Sequence, residues 1–220
     1  MKAWILAARP KTLPAAVVPV WVGCVLAWNE TGAVDWLLAA CTLGGALCIQ
    51  VATNLFNDAI DARKGADTEA RLGPRRVTAS GLLSPAAVFA GALVFLLLAA
   101  ACGVPMILER GWIMLAIGIP SLFLAYGYTG GPFPLAYLGL GELFVILFFG
   151  LVAVMGTVFV QTGGWPWAAA VVGVQVGLLS AVLISINNLR DVDEDRSSGK
   201  RTLAVRWGKR WMLVALGMMV

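Results

Sequence analysis

The stretch from 143 to 189, LFVILFFGLVAVMGTVFVQTGGWPWAAAVVGVQVGLLSAVLISINNL, decides the fold because it contains no Asp, Glu, Lys or Arg. A helix that crosses the roughly 30 Å hydrocarbon core of a bilayer needs about 20 apolar residues. This stretch is long enough for two such helices, and the segment from Gln161 to Trp165 marks the break between them. Gly173-x-x-x-Gly177 is interpreted as a helix-packing motif. The sequence therefore predicts two neighbouring membrane-spanning helices.

The rest of the chain has the same character. Of its 220 residues, 60% are hydrophobic and 13% are charged, and the mean hydropathy is +0.86. This composition is unusual for a water-soluble domain of this size. We predict an all-α polytopic membrane protein that lies in a lipid bilayer. Its six predicted transmembrane helices are 12–28, 36–57, 83–103, 111–128, 138–160 and 166–187.

A further apolar segment begins after Arg210 and contains only the residues from Trp211 to Val220. A segment of this length is too short to cross a bilayer. The sequence therefore predicts one domain over residues 1–220, with the start of a seventh helix and a C-terminal part that is incomplete.

The basic residues orient the predicted helices. All Lys and Arg residues except Arg110 lie before the first helix or after an even-numbered helix. Because Lys and Arg concentrate in cytoplasmic loops, the N-terminus is predicted to be cytoplasmic. This topology explains the net charge of +4 better than binding to nucleic acid does, so no nucleic-acid partner is expected.

Several kinds of active site are excluded by composition. The chain has no histidine, which rules out Ser-His-Asp catalysis and histidine-ligated zinc or haem. The four cysteines lie within apolar runs and lack the spacing of metal ligands. They are interpreted as small buried hydrophobic residues. Chemistry in this chain must therefore use other polar groups.

Two charged clusters stand out, because each follows an even-numbered helix and begins with the pattern Asn-x-x-x-Asp. The residues are Asn54, Asp58 and Asp61 in the first cluster, and Asn187, Asp191 and Asp195 in the second. Side chains spaced by three or four residues share one helical face. Carboxylates crowded at a helix C-terminus are unfavourable unless a cation offsets their charge. Oxygen ligands suit Mg²⁺, which usually bridges one or two carboxylates to substrate phosphates.

We therefore predict that both clusters form a clamp for Mg²⁺ and a diphosphate. The predicted metal ligands are Asp58, Asp61, Asp191 and Asp195. The alternative is that these residues only solvate two cytoplasmic loops. It is disfavoured because the pattern occurs twice, at equivalent helix ends, and each copy starts with an Asn inside an apolar segment.

The two clusters resemble the motifs N-x-x-x-D-x-x-D and D-x-x-x-D of the UbiA superfamily of intramembrane aromatic prenyltransferases. Longer strings are similar to the branch of this superfamily that prenylates 1,4-dihydroxy-2-naphthoate in menaquinone synthesis. They include Asn54-Leu55-Phe56-Asn57-Asp58, Tyr128-Thr129-Gly130-Gly131-Pro132 and Asn188-Leu189-Arg190-Asp191. The resemblance covers essentially the whole chain. It implies a nine-helix bundle around a central cavity, in a bacterial inner membrane, with both Asp-rich segments on the cytoplasmic side.

The resemblance also implies a reaction. A polyprenyl group would pass from an allylic polyprenyl diphosphate to 1,4-dihydroxy-2-naphthoate, with loss of CO₂, to give demethylmenaquinol. Mg²⁺ on the four aspartates would stabilise the departing diphosphate. The residues expected to help bind the substrates are Asn54, Asn57, Arg71, Arg75, Asn187, Asn188 and Lys200.

Three residues outside the clusters are further candidates. Tyr126 and Tyr128, at the cytoplasmic end of the fourth predicted helix, either contact the allylic cation and diphosphate or form an interfacial aromatic belt. Tyr128 is assigned a catalytic role and Tyr126 a role in substrate binding. Glu142 is the only charged residue predicted inside an apolar run. Because carboxylates within membranes usually mark a site, Glu142 is predicted to bind the acceptor or handle a proton.

Three alternatives remain open at this point. A UbiA-type enzyme acting on 4-hydroxybenzoate or homogentisate would carry the same motifs. A CDP-alcohol phosphatidyltransferase also uses Asp-bound metal, but its D-x-x-D-G string is absent because Ala62 follows Asp61. A small-molecule transporter would have ionisable groups near the bilayer midplane, whereas the charges here gather at one face.

Overall fold

The computed structural model describes residues 1–65 and 76–219, which contain helices and turns and no strand. Two short 3₁₀ turns, Pro10–Thr12 and Leu135–Tyr137, lie between helices, and a π-helical segment, Ile146–Val152, connects α6 to α7. The helices are α1 Lys2–Ala8, α2 Pro14–Thr31, α3 Trp36–Arg63, α4 Pro85–Arg110, α5 Trp112–Gly127, α6 Gly141–Val145, α7 Ala153–Thr162, α8 Trp167–Arg190, α9 Val192–Ser197 and α10 Leu203–Met219.

Among the described residues, four helical segments are long and apolar enough to cross a membrane: α3, α4, α8 and the continuous segment Gly141–Thr162. A fifth is counted if Lys2–Thr12 and α2, which meet at a bend of 50°, form one span. Helix α5 is also apolar but has only 16 residues. The fold is thus all-helical with four or five membrane-capable helices, and the count of six stays a prediction.

Local sequence explains where the long helices begin and end. The side chain of Asp35 accepts a hydrogen bond from the backbone N–H of Leu38 at 3.0 Å and caps α3. Ser84 caps α4 in the same way, with Pro85 in the first helical position. Helix α2 ends where Gly32 takes a left-handed conformation with φ 72°.

Helix α3 is longer than the sequence predicted. Hydropathy ended the second span at residue 57, but the helix continues to Arg63. The first Asp-rich motif is therefore helical rather than part of a loop. The extension is stabilised by packing, since Ala59, Ile60 and Asp61 are all buried. Helical geometry thus fixes the direction of each carboxylate in this motif.

Two contacts hold the bundle together around the later site. Helix α3 packs on α4 through a buried apolar cluster that includes Leu55, Phe56, Val88 and Ala92. Helix α8 packs on the π-helical segment, where glycines allow the backbones to touch. Many large apolar side chains on the outside are exposed, which suits contact with lipid.

Candidate active site

One large cavity, of about 670 Å³, lies among α3, α5, α6, the π-helical segment and α8. Most of its wall is apolar and aromatic. Its charged residues come from the C-terminal ends of α3 and α8, from the segments that follow those helices, from the turn after α1 and from the start of α6. The apolar lining includes Ile49, Leu124, Phe144, Phe148, Phe149, Leu183 and Ile184, and the charged lining comprises Arg9, Lys11, Asp61, Arg76, Glu142, Arg190, Asp191, Asp195 and Lys200.

Asp61, at the charged end, contacts three side chains of the described residues. Its Oδ1 accepts a hydrogen bond from the hydroxyl of Tyr137 at 2.8 Å. Its Oδ2 lies 2.9 Å from Lys200 Nζ and 3.8 Å from Arg76 Nη2. The residue is only 2% exposed. A buried carboxylate is unfavourable without such partners, so these two cations provide the charge balance for Asp61.

The second Asp-rich motif is arranged in a similar way. Asp191 ends α8, and the guanidinium of Arg190 donates to both of its oxygens, at 2.6 Å and 2.8 Å. Asp195 lies in the first turn of α9, is buried and lines the same cavity. The structure therefore brings Asp61, Asp191 and Asp195 to one cavity, with a cation of the chain beside each of the first two.

Asp58 differs from the prediction. Its two carboxylate oxygens accept hydrogen bonds from the backbone N–H groups of Val77, at 3.1 Å, and Thr78, at 3.0 Å, and Oδ1 also accepts from the Thr78 hydroxyl. The residue is 1% exposed and is not among the described residues that line the cavity. The assignment of Asp58 as a metal ligand stays a prediction, which these contacts disfavour. The backbone N–H groups of Val77 and Thr78 donate to both Asp58 oxygens.

A stability change is expected from replacing Asp58. In Asp58→Asn, an NH₂ group faces a backbone donor, so at least one buried N–H loses its partner, at a cost of about 1–3 kcal/mol. The unfolding temperature in detergent, followed by circular dichroism, should fall. Thr78→Val, which removes only the hydroxyl contact, should lower it less. Unfolding temperatures equal to that of the unsubstituted chain would contradict this role.

The two predicted tyrosines separate in the structure. Tyr126 packs edge-to-face on Phe56 and Phe89, with ring centroids 5.5 Å and 6.3 Å apart, and does not belong to the described lining of the cavity. Tyr126 thus has a packing role in the described structure, and its role in substrate binding stays a prediction. Tyr128 lines the cavity and lies close enough to Glu142, Asp61 and Asp195 to interact with them electrostatically.

The predicted asparagines all line the cavity, and three of them have partners. Asn54 donates to the carbonyl oxygen of Ala8 and to the hydroxyl of Thr12, both at 2.9 Å, which fastens the N-terminal segment to α3. Asn57 accepts from the hydroxyl of Thr129. Asn187 and Asn188 lie in the last turn of α8, where Asn188 contacts Glu142.

Glu142 is the second residue of α6 and is 2% exposed. Its Oε1 accepts a hydrogen bond from Asn188 Nδ2 at 2.8 Å. Its Oε2 is buried and has no hydrogen-bond partner in the part of the chain that the structure describes. Lys200 lies at the charged end, as the motif suggested, whereas Arg71 and Arg75 fall outside the described residues.

Sequence reasoning missed several residues of the site. Arg9 and Lys11 were used only as topology signals, and Arg190 was quoted in a family motif without a role of its own, yet all three line the cavity. Arg9 also has a left-handed backbone, φ 51°, which is rare for a residue other than glycine and is typical of functional sites. No motif signalled Tyr137, because its contact with Asp61 joins positions 76 residues apart.

Lys64, which follows α3, completes this charged end. Its ammonium group donates to the carbonyl oxygen of Thr129 at 3.0 Å and lies 4.0 Å from the centre of the Tyr137 ring. Burial lowers the pKa of Lys64, the nearby Asp61 opposes that shift, and Lys200 adds to it. Asp61 therefore has Lys64, Lys200 and Arg76 in its surroundings, and such cations are the groups that bind an anion.

The donor atoms at this end suit Mg²⁺ shared with a ligand. No group of three or more acidic or cysteine side chains in residues 1–65 and 76–219 is arranged to hold a metal ion by itself. Mg²⁺ usually takes only one or two protein carboxylates and completes its shell with water and phosphate oxygens. Asp61, Asp191 and Asp195 supply oxygen ligands of the required kind. These residues fit a Mg²⁺ ion that a diphosphate helps to bind.

Comparisons with known proteins agree with this geometry. The model described as the UbiA prenyltransferase family matches residues 16–220. A 1,4-dihydroxy-2-naphthoate octaprenyltransferase of Mycobacterium tuberculosis is 38% identical over 211 residues, which cover 93% of this chain and 70% of that protein. The protein of the same name from Escherichia coli is 36% identical over 214 residues, 94% of this chain and 69% of that one.

A solved structure supports the fold. The UbiA homolog from Archaeoglobus fulgidus bound to DMAPP and Mg²⁺ superposes with a TM-score of 0.75 and covers 98% of this chain and 73% of that chain. The sequences are 16% identical, so the likeness concerns the helical architecture.

Proposed function

Because the chain belongs to the UbiA prenyltransferase family, we propose that it transfers a polyprenyl group from an allylic polyprenyl diphosphate to 1,4-dihydroxy-2-naphthoate. The carboxyl group of the acceptor leaves as CO₂, and the product is demethylmenaquinol. The acceptor is supported by the relatives named 1,4-dihydroxy-2-naphthoate octaprenyltransferase, which are 35–39% identical. The observation that carries the proposal is the cavity itself, which joins Asp61, Asp191 and Asp195 to an apolar chamber.

The charged end binds the diphosphate in this proposal. Lys200 and Arg76 neutralise Asp61, and Arg190 neutralises Asp191. When bound by Asp61, Asp191 and Asp195, Mg²⁺ supplies positive charge that stabilises the departing diphosphate. Lys200, Arg76 and Arg190 would also hold phosphate oxygens, for which Arg is well suited through its paired donors. The protein thus holds the diphosphate with charges that the structure already places together.

The apolar chamber accommodates the prenyl chain. Phe144, Phe148 and Phe149 line it together with aliphatic residues of α8. The whole cavity, charged end included, has a volume of about 670 Å³, which lies within the range of small-molecule sites. An allylic cation is destroyed by water, so a dry aromatic wall protects it until the ring of the acceptor reacts. Tyr128 lines the cavity and interacts electrostatically with the acidic residues. In this proposal it contacts the reacting group and has a catalytic role.

The proposal extends to the arrangement in the membrane. Residues 1–220 form a single prenyltransferase domain in the bacterial inner membrane, with α2, α3, α4, α5, Gly141–Thr162 and α8 as its six spans. The N-terminus and both Asp-rich motifs face the cytoplasm. This orientation is supported by the Lys and Arg residues, which cluster at one end of the spans.

Metal removal gives the direct test of the proposed reaction. Membranes that contain the chain, supplied with 1,4-dihydroxy-2-naphthoate, a polyprenyl diphosphate and Mg²⁺, should form a prenylated, decarboxylated product that mass spectrometry detects. EDTA should abolish the product, because the charge of the leaving diphosphate is then not compensated by Mg²⁺. Excess Mg²⁺ should compensate that charge again and restore the product. Equal product with EDTA would contradict the metal mechanism. Faster turnover of 4-hydroxybenzoate or homogentisate would contradict the acceptor.

A further inference from the structure

Glu142 has one carboxylate oxygen without a hydrogen-bond partner among the described residues. One oxygen is bonded to Asn188, whereas Oε2 is buried without a hydrogen-bond partner among the described residues. A buried polar atom without a partner costs free energy of the order of 1–3 kcal/mol. Glu142 is one of the residues that line the cavity, so a molecule bound there lies next to this residue. This combination indicates a ligand that completes the hydrogen bonding of Oε2.

The surroundings of Glu142 define what that ligand is. A carboxylate oxygen only accepts hydrogen bonds, so the ligand must present an O–H or N–H donor. Phe144 and Val145 on the following turn, and Ile184 on α8, form an apolar wall next to it. The position therefore suits a flat aromatic ring that carries a hydroxyl group.

Glu142 also lies next to the charged end. Glycine at position 141 keeps this region compact, because a Cβ there would come within 3.0 Å of the Tyr128 hydroxyl oxygen. Tyr128 in turn interacts electrostatically with Glu142, Asp61 and Asp195. A ring bound at Glu142 is thus beside the place where the diphosphate leaves its allylic carbon.

We propose that Oε2 of Glu142 accepts a hydrogen bond from a ring hydroxyl of the aromatic acceptor, and so selects and orients a hydroxyaryl substrate. This inference rests on the proposed prenyl transfer. Asn188 holds the Glu142 carboxylate in place through Oε1. The acceptor's own carboxylate is repelled by Glu142, which turns the hydroxyl group toward Glu142 and the carboxylate away from it.

The role of this contact in the reaction follows from the electron balance. The ring carbon that bears the carboxylate forms a bond to the allylic carbon. At the same time the bond between the allylic carbon and the diphosphate oxygen breaks. If the 1-hydroxyl, which is ortho to the reacting carbon, makes the hydrogen bond, Glu142 also increases the electron density that this oxygen gives to the ring and spreads the positive charge that develops. If the 4-hydroxyl makes it, which is meta to that carbon, the contact orients the ring only. The carboxyl group then leaves as CO₂, and its bonding electron pair restores the aromatic ring. The hydroxyl proton remains on the acceptor.

The test is a cycle of enzyme variants and acceptor analogues. Acceptors are 1,4-dihydroxy-2-naphthoate and its two analogues that lack either the 1-hydroxyl or the 4-hydroxyl group. In the unsubstituted chain, loss of the hydroxyl that faces Glu142 should lower kcat/KM by about 10- to 100-fold, as expected for a hydrogen bond to a charged group. In Glu142→Ala and Glu142→Gln this penalty should be clearly smaller, because only the part that comes from the lower intrinsic reactivity of the analogue remains. The KM for polyprenyl diphosphate should stay unchanged in both variants.

Glu109→Gln is the matched control, because Glu109 is exposed and pairs with Arg110 at 3.2 Å outside the cavity. It should keep the full penalty of the unsubstituted chain. If both Glu142 variants also keep that penalty while prenylated product still forms, the inference is wrong and the proposed function stands. Glu142→Gln has nearly the shape of the native residue and decides the matter if Glu142→Ala does not fold. If the unsubstituted chain prenylates no naphthoate at all, the proposed function and this inference are both overturned.

Discussion

Replacing Asp61 with Asn is expected to lower kcat/KM for prenyl transfer by about 10²–10³-fold or more, the size of effect seen when one group that stabilises transition-state charge is removed. The amide keeps the shape of the side chain and loses its charge. Lys200 and Arg76 then lose their shared counterion, and the proposed Mg²⁺ site loses a charged ligand. Rates measured over a range of Mg²⁺ concentrations should show that saturating Mg²⁺ does not restore the activity.

The neighbouring aspartate of the same motif provides the control. Asp58→Asn makes the same chemical change three residues earlier, but Asp58 is bonded to the backbone of Val77 and Thr78. We expect Asp58→Asn to lower the unfolding temperature and to keep its Mg²⁺ requirement. Tyr137→Phe removes a hydrogen bond from Asp61 without changing charge, and should cost less activity than Asp61→Asn. Equal loss of activity in both aspartate variants, at unchanged stability, would overturn this division of roles.

The division between Asp58 and Asp61 shows what the sequence could predict. The repeated Asn-x-x-x-Asp pattern correctly indicated that α3 and α8 end at a common polar region, because hydropathy and charge are local properties of the chain. It could not reveal that backbone N–H groups near residue 77 would bond to Asp58, since that contact depends on how a later segment returns to α3. The pattern therefore predicted the region and only some of its ligands.

Contacts between distant residues were hidden for the same reason. Lys200 meets Asp61 although they are 139 residues apart, and Arg9 reaches the cavity because Asn54 fastens the turn after α1. Tyr126 and Tyr128 are two residues apart, so their directions around the helix end differ widely. Packing sends Tyr126 into the core beside Phe56, while Tyr128 faces the cavity. The residue types were visible in the sequence, and their directions were set by tertiary packing.

The second large effect is expected at Gly150, where the π-helical segment crosses α8. A Cβ at this position would meet the carbonyl oxygen of Gly173 and would come within 2.8 Å of the Cα of Gly177. These opposing atoms are backbone, so they cannot move aside as a flexible side chain can. Gly150→Ala must therefore separate the two helices. Overpacking of this kind costs about 1–3 kcal/mol in ordinary cores, and we expect a loss at or above that range here.

The separation should also reach the cavity, because Phe148 and Phe149 line it from the same π-helical segment. We expect Gly150→Ala to lower the unfolding temperature in detergent by several degrees and to reduce prenyl transfer. Gly156→Ala is the matched control, since Gly156 is helical, buried and has nothing within 4 Å of an added Cβ. Alanine restricts the unfolded chain more than glycine does, so this variant should be as stable as the native chain or more stable, by up to about 1 kcal/mol. If Gly150→Ala destabilises the chain and Gly156→Ala does not, the contact between the helices, rather than helix propensity, makes glycine necessary at 150. Equal stabilisation by both substitutions would rule out that close contact.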